Sequence, residues 1–91
     1  MRFEWDLEKA EENFCKHGID FDDAIAIFDG TTLESEDGRF DYGEVRMRAI
    51  GALGPFLIAV IYTMRGEVCR IISARKATKH ERQAYRDAQG G

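Results

Sequence analysis

Residues 45–62 read Val45-Arg46-Met47-Arg48-Ala49-Ile50, then Gly51-Ala52-Leu53-Gly54-Pro55, then Phe56-Leu57-Ile58-Ala59-Val60-Ile61-Tyr62. In the first block Val45, Met47 and Ala49 alternate with Arg46, Arg48 and Ile50, the period of a strand with one apolar and one largely basic face. Gly51 to Pro55 is expected to be a turn. The third block is apolar at every position, as a central strand covered on both faces should be, and proline is tolerated at its start. Arg65-Gly66 marks a tight reversal, and Val68 to Ala74 returns as another strand.

Outward from this block the period changes. On the carboxyl side Thr78 and Glu81 have capping-box spacing, and no helix breaker follows until Gly90. On the amino side Phe3 to Trp5 suits a short strand. Asp6 then caps a helix whose apolar positions are Leu7, Ala10 and Phe14 and which Gly18 ends. Asp20 caps a second helix, with Phe21, Ala24, Ile25 and Phe28 as its apolar stripe up to Gly30. Thr31 to Ser35 reads as a strand and Glu36 to Gly43 as a polar loop. The expected architecture is α+β in the order β-α-α-β-β-β-β-α. Hairpin-length connections imply an antiparallel sheet with the helices packed on one face. Arg46 and Arg48 then point to the other, free face.

At 91 residues the chain is expected to be a single domain spanning 1–91, since two cores would each be too small. No apolar run approaches the roughly 20 residues of a membrane helix, and the amino terminus lacks a secretory signal pattern, so a cytoplasmic location is expected by elimination. Cys15 and Cys69 lack metal-site or scaffold spacing and are expected to be small, at least half-buried apolar side chains. No cofactor motif is present, and the Asp20 to Asp23 carboxylates read as helix-start charge rather than a metal site.

Charge divides the chain. Residues 1–44 carry 14 acidic and 4 basic side chains, whereas residues 45–91 carry 3 acidic and 9 basic. Seven of those nine are Arg, whose planar fork matches phosphate, so the second half suits a polyanion. Mutual neutralisation of the two halves is the competing reading. For RNA cleavage, cations must stabilise charge on the phosphoryl oxygens while other groups move protons. Arg46 and Arg70 are candidates for the first role. His17, Glu81 and His80 are candidates for the second, with Tyr85 behind them. Simpler readings exist for each of the three: His17 as a helix C-terminal histidine on the dipole, Glu81 as a capping residue, and His80 as a solvated side chain on the first turn of the last helix. Arg48, Arg65, Arg75, Lys76, Lys79 and Arg82 are the candidate RNA-gripping side chains. Trp5 is expected in the core.

Phe3-Glu4-Trp5-Asp6, Lys9, Asn13, Lys16-His17-Gly18-Ile19 and Phe21 open a pattern that Arg70-Ile71-Ile72-Ser73-Ala74-Arg75-Lys76-Ala77-Thr78, Glu81-Arg82 and Tyr85 close. Together they resemble the BrnT toxins. The resemblance implies a RelE-like fold and a metal-independent ribonuclease of a type II toxin–antitoxin pair, cutting RNA by 2′-OH attack and inhibiting translation and growth. It also implies a BrnA-like ribbon-helix-helix antitoxin, through which alone DNA would be met. Asp37, Glu44, Arg46 and Gly51 fit the pattern. The Gly38 to Tyr42 loop lacks the His that some relatives carry, so no general acid is expected from it. The alternative to an enzyme is a non-catalytic module that binds RNA or a protein through the same basic face.

Overall fold

The computed structural model describes residues 1–38 and 43–90; the middle of the expected polar loop, residues 39–42, lies outside the described residues. The elements run β1 (Arg2–Glu4), α1 (Leu7–His17), α2 (Phe21–Ala24), a 3-10 turn (Ile25–Asp29), β2 (Leu33–Glu36), β3 (Met47–Leu53), β4 (Phe56–Arg65), β5 (Val68–Lys76) and α3 (Lys79–Ala88). The five strands form one sheet in the order β1-β5-β4-β3-β2.

Two architectural expectations are corrected. β1 lies parallel to β5, with Phe3 opposite Cys69, while the other pairings are antiparallel, so the sheet is mixed. Everything between β1 and β5 serves as the crossover that a parallel pair requires. Nor do the helices share one face. Ala49, Ile58, Val60, Tyr62, Cys69, Ile71 and Ala74 pack with Phe21, Ala24 and Ile27 from the α2 region. Ile50 and Ala59, which alternation turns the other way, pack with Ala77 and with Leu33, Leu57 and Tyr85, so α3 covers part of the opposite face. Tyr85 fixes it there by donating to the Thr31 carbonyl at 3.1 Å.

Local signals act largely through backbone hydrogen bonds. Asp6 accepts from the Lys9 N–H at 3.1 Å to start α1, and Gly18, at φ 72°, donates to the Phe14 carbonyl to end it. Asp20 starts α2 with its backbone carbonyl, and its side chain makes no capping bond. The apolar reading of α1 is also corrected: Leu7 is 75% and Phe14 49% exposed. The helix instead turns Ala10 and buried Asn13 inward. Asn13 Nδ2 donates to the carbonyls of Ile19 (3.2 Å) and Ala74 (2.8 Å), and the Ala74 N–H donates to Asn13 Oδ1 (3.1 Å). β1 reaches along β5 only as far as Arg70, so the Asn13 amide serves Ala74 in place of a neighbouring strand.

The second helix tightens into its 3-10 turn where Ile27 meets β3. A Cβ on Gly51 would stand 2.8 Å from Ile27 Cβ, so glycine is what lets the turn approach the sheet. Gly51 is accordingly within β3, and only Gly54-Pro55 turns. Trp5 is half-buried edge-on to Phe21 at 6.0 Å. Cys69 is buried as expected, but Cys15 is exposed.

Candidate nucleic-acid interface

The sheet face that α3 only partly covers gathers the arginines. On β3, Met47 and Ala49 go to the α2 side, leaving Arg48 on the α3 side with Ile50. On β5, Arg70 and Arg75 are five residues apart, which in a regular strand sends them to opposite faces. A bulge changes this. Ile61 pairs with Ser73 but the next residue, Tyr62, pairs with Ile71, leaving Ile72 as the extra residue. Thr63 therefore faces Arg70 and Ala59 faces Arg75; because Thr63 and Ala59 are four apart on β4, both arginines lie on the α3 side.

Glu81 ties two of these arginines together. Arg75 Nη1 and Nη2 donate to its two carboxylate oxygens at 2.6 and 3.0 Å, and Arg48 Nη1 lies 3.2 Å from Oε2. Arg48 Nη2 also donates to Ser35 Oγ at 3.2 Å. The same carboxylate accepts from the Thr78 N–H at 2.9 Å while the Glu81 N–H donates to Thr78 Oγ1 at 3.2 Å, completing the capping box. Burial on its own would raise the Glu81 pKa. The hydrogen bonds from Arg75 and Thr78 and the charges of Arg75 and Arg48 outweigh it, holding the carboxyl at about 2. Glu81 is thus an ionised anchor with both oxygens engaged. Arg48, Arg75, Ser35, Thr78, Glu81 and His80 border one open depression of about 490 Å³.

The remaining arginines of this region carry looser carboxylates. Arg70 Nη1 is 3.2 Å from Glu4 Oε2, on neighbouring parallel strands. Glu44 lies between two more, 3.8 Å from Arg46 Nε and 3.7 Å from Arg65 Nη2. Pairs of this partly exposed kind are worth roughly 0–1 kcal/mol, so a phosphate competes with them easily.

Of the four side chains expected to carry chemistry, Glu81 centres the Arg48–Arg75 cluster, Arg70 lies on the same sheet face in a separate pair with Glu4, Arg46 lies beside Glu44, and His17 is elsewhere. His17 borders a separate depression of about 390 Å³ with Ile19, Leu53, Phe56, Ile58 and Lys76. Of the expected RNA-gripping residues, Arg48 and Arg75 are in the Glu81 cluster and Arg65 is beside Glu44. Lys76 and Arg82 lie around Phe56 at the end of the sheet, and Lys79 is exposed on the first turn of α3. Sequence reading missed Ser35, Glu4 and Glu44 as arginine partners, and no periodicity or spacing signals them. Among the described residues no group of three His, Cys, Asp or Glu side chains is placed to hold a metal ion.

Residues 5–81 match the model of a family described as the ribonuclease toxin, BrnT, of type II toxin–antitoxin systems. The chain belongs to the BrnT family. The match covers most of the chain, from Trp5 through the Glu81 anchor, and so includes Arg46, Arg48, Arg65, Arg70 and Arg75. No individual curated protein matches. BrnT membership brings with it a ribonuclease activity, an RNA substrate and an antitoxin partner. No helix among the described residues is long and apolar enough to cross a membrane.

Proposed function

We propose that this BrnT chain cuts RNA on the α3 side of its sheet, by attack of the ribose 2′-OH on the adjacent phosphate and without a metal ion. The observation that carries this reading is the bulge at Ile72, which aligns Arg70 with Arg75 beside Arg48. Arg46 and Arg70 take the charge that builds on the phosphoryl oxygens. Among their carboxylate contacts, Arg46 with Glu44 at 3.8 Å and Arg70 with Glu4 at 3.2 Å are partly exposed pairs of the kind a phosphate can displace. Arg48, Arg65 and Arg75 grip neighbouring phosphates, the first and last held in place by Glu81.

Of the proton-transfer candidates His80 is the imidazole on this face, and it approaches the reacting phosphate from the side of the depression bordered by Arg48 and Arg75. His80 takes the proton of the 2′-OH as the 2′-oxygen bonds to phosphorus, the bond from phosphorus to the 5′-oxygen breaks, and the leaving 5′-oxygen takes a proton from water. The products are a 2′,3′-cyclic phosphate and a 5′-hydroxyl. Glu81 is occupied as an anchor, and His17 has no step on this face.

The mixed sheet with helices on both sides supports the RelE-like assignment that the resemblance implies. We further propose that the antitoxin is a BrnA-like ribbon-helix-helix protein and that any DNA contact passes through it. The test is digestion of RNA in EDTA with analysis of the new ends. Cyclic phosphate and 5′-hydroxyl ends are expected. RNA bound tightly without turnover would instead identify a non-catalytic binding module.

A further inference from the structure

Arg46, Arg48, Arg65, Arg70 and Arg75 each lie within 4 Å of a glutamate. Around the end of β4 the pattern is the reverse. Lys76, Arg82 and Arg86 border a depression of about 270 Å³ with Phe56, and among the described residues none of the three has a carboxylate partner. Arg82 Nη1 donates to the Ala77 carbonyl at 2.9 Å, which holds the guanidinium over the end of β5 with its other donors uncommitted. Arg82 and Arg86 are one helical turn apart on α3 and so point the same way.

Phe56 is 54% exposed although it opens the most buried strand of the sheet. Lys76 Nζ lies 5.0 Å from its ring centroid, and the ring also borders the depression shared with His17 and Leu53. The ring therefore borders open volume on both sides, with the three cations on one and Leu53, Ile58 and Asp23 on the other. An apolar protein partner gains little from an aromatic beside three unneutralised charges. A single nucleic-acid strand gains from both, because a base stacks on the ring while its flanking phosphates meet the cations.

We propose that Phe56, Lys76, Arg82 and Arg86 form a second subsite for single-stranded RNA, with a base on the Phe56 ring and the flanking phosphates on the three cations. This rests on the reading of the arginine face as the cutting site and extends its substrate to a strand several nucleotides long. The two regions meet on β5, where Arg75 belongs to the first and Lys76 to the second, and Arg75 Nη1 lies 3.4 Å from the Lys76 carbonyl. Lys76, opposite Ile58, leaves β5 on the other face from Arg75, so a strand passing from one region to the other rounds the end of β5 by Arg82 and Arg86.

The experiment measures binding of a labelled 2′-O-methyl twelve-nucleotide strand, which cannot undergo 2′-OH attack, to the wild type, Phe56→Leu, Phe56→Trp and Arg82→Ala/Arg86→Ala. Phe56→Leu keeps the apolar bulk but not the stacking face and should weaken binding roughly 5- to 100-fold, while Phe56→Trp should match or exceed the wild type. The double variant should lower the slope of log affinity against log salt by about 1.4, two phosphates' worth on a single strand. Duplex RNA, whose bases are already stacked, should bind Phe56→Leu as it binds the wild type. Wild-type affinity for the single strand in Phe56→Leu, or equal loss for strand and duplex, overturns the subsite. So does a Phe56→Leu defect seen only with a purified antitoxin. If the wild type cuts RNA and Phe56→Leu binds normally, the subsite alone is wrong; if the wild type neither binds nor cuts RNA, the cutting site falls as well.

Discussion

Replacing Glu81 by Gln keeps the size and an acceptor for the Thr78 N–H but removes the charge that Arg48 and Arg75 share. The folded carboxyl titrates at about 2. Against the ~4.3 of an unfolded glutamate this gap of a little over two pH units corresponds to roughly 3 kcal/mol of stability at neutral pH. Glu81 itself is only 7% exposed, but Arg48 and Arg75 reach solvent, and screening there brings the expected loss to about 2 kcal/mol. Because the folded pKa lies below the unfolded one, this stability is fully present above about pH 4.3 and fades as the pH falls through about 2. Urea unfolding of wild type and Glu81→Gln at pH 7 and pH 3 reads this directly. Other carboxylates titrate in both proteins and cancel in the difference. The gap should be about 2 kcal/mol at pH 7 and near half that at pH 3. A gap under about 0.5 kcal/mol at pH 7, or one that stays constant down to pH 3, would refute the anchoring role, since surface substitutions without such a feature fall in that range.

Two further outcomes follow from other parts of the fold. Asn13→Leu leaves two carbonyls and the Ala74 N–H without the bonds that Asn13 provides and should cost about 2–4 kcal/mol in urea or thermal unfolding; a loss under about 1 kcal/mol would mean that water replaces the amide there. With a thiol reagent at pH 8 the native protein should react rapidly at Cys15 alone. Cys69 is buried, and burial followed by the charge of Glu34 pushes its thiol up to about 11, so its reaction should track unfolding; two equally fast thiols would contradict this packing.

Much of the sheet is legible in the chain because each signal is local. The alternation from Met47 to Ile50, the apolar run from Phe56, the Arg65-Gly66 reversal and the Thr78/Glu81 spacing all act over a few residues and appear in β3, β4, the β4–β5 turn and α3, whereas Val45, expected on the apolar face, precedes β3 and is exposed. What the sequence hid depends on distant partners. β1 is three residues long, and nothing in Arg2–Glu4 says that it runs parallel to β5. Leu7 and Phe14 match a helical stripe better than Asn13 does, yet Asn13 is buried because β5 needs a partner at Ala74. The arginine face is the clearest case. Residues 70 and 75 have opposite parity, and only the one-residue slip against β4 brings them to one side. Charge composition shows which half of the chain holds the arginines, but the bulge decides which of them share a face. His17 fits by residue type and motif, but it borders a depression with Leu53 and Ile58, on the other side of the sheet from these arginines.

The measurement that bears most directly on this account is the cleavage rate of a short RNA in EDTA for the wild type, Arg70→Ala and His17→Ala. The account predicts that the wild type cuts without added metal. Arg70→Ala should slow cutting by roughly 100-fold or more, as loss of one charge-stabilising donor does, and His17→Ala should cut at close to the wild-type rate. Equal rates for wild type and Arg70→Ala, a collapse of activity in His17→Ala, or a requirement for added metal would contradict it.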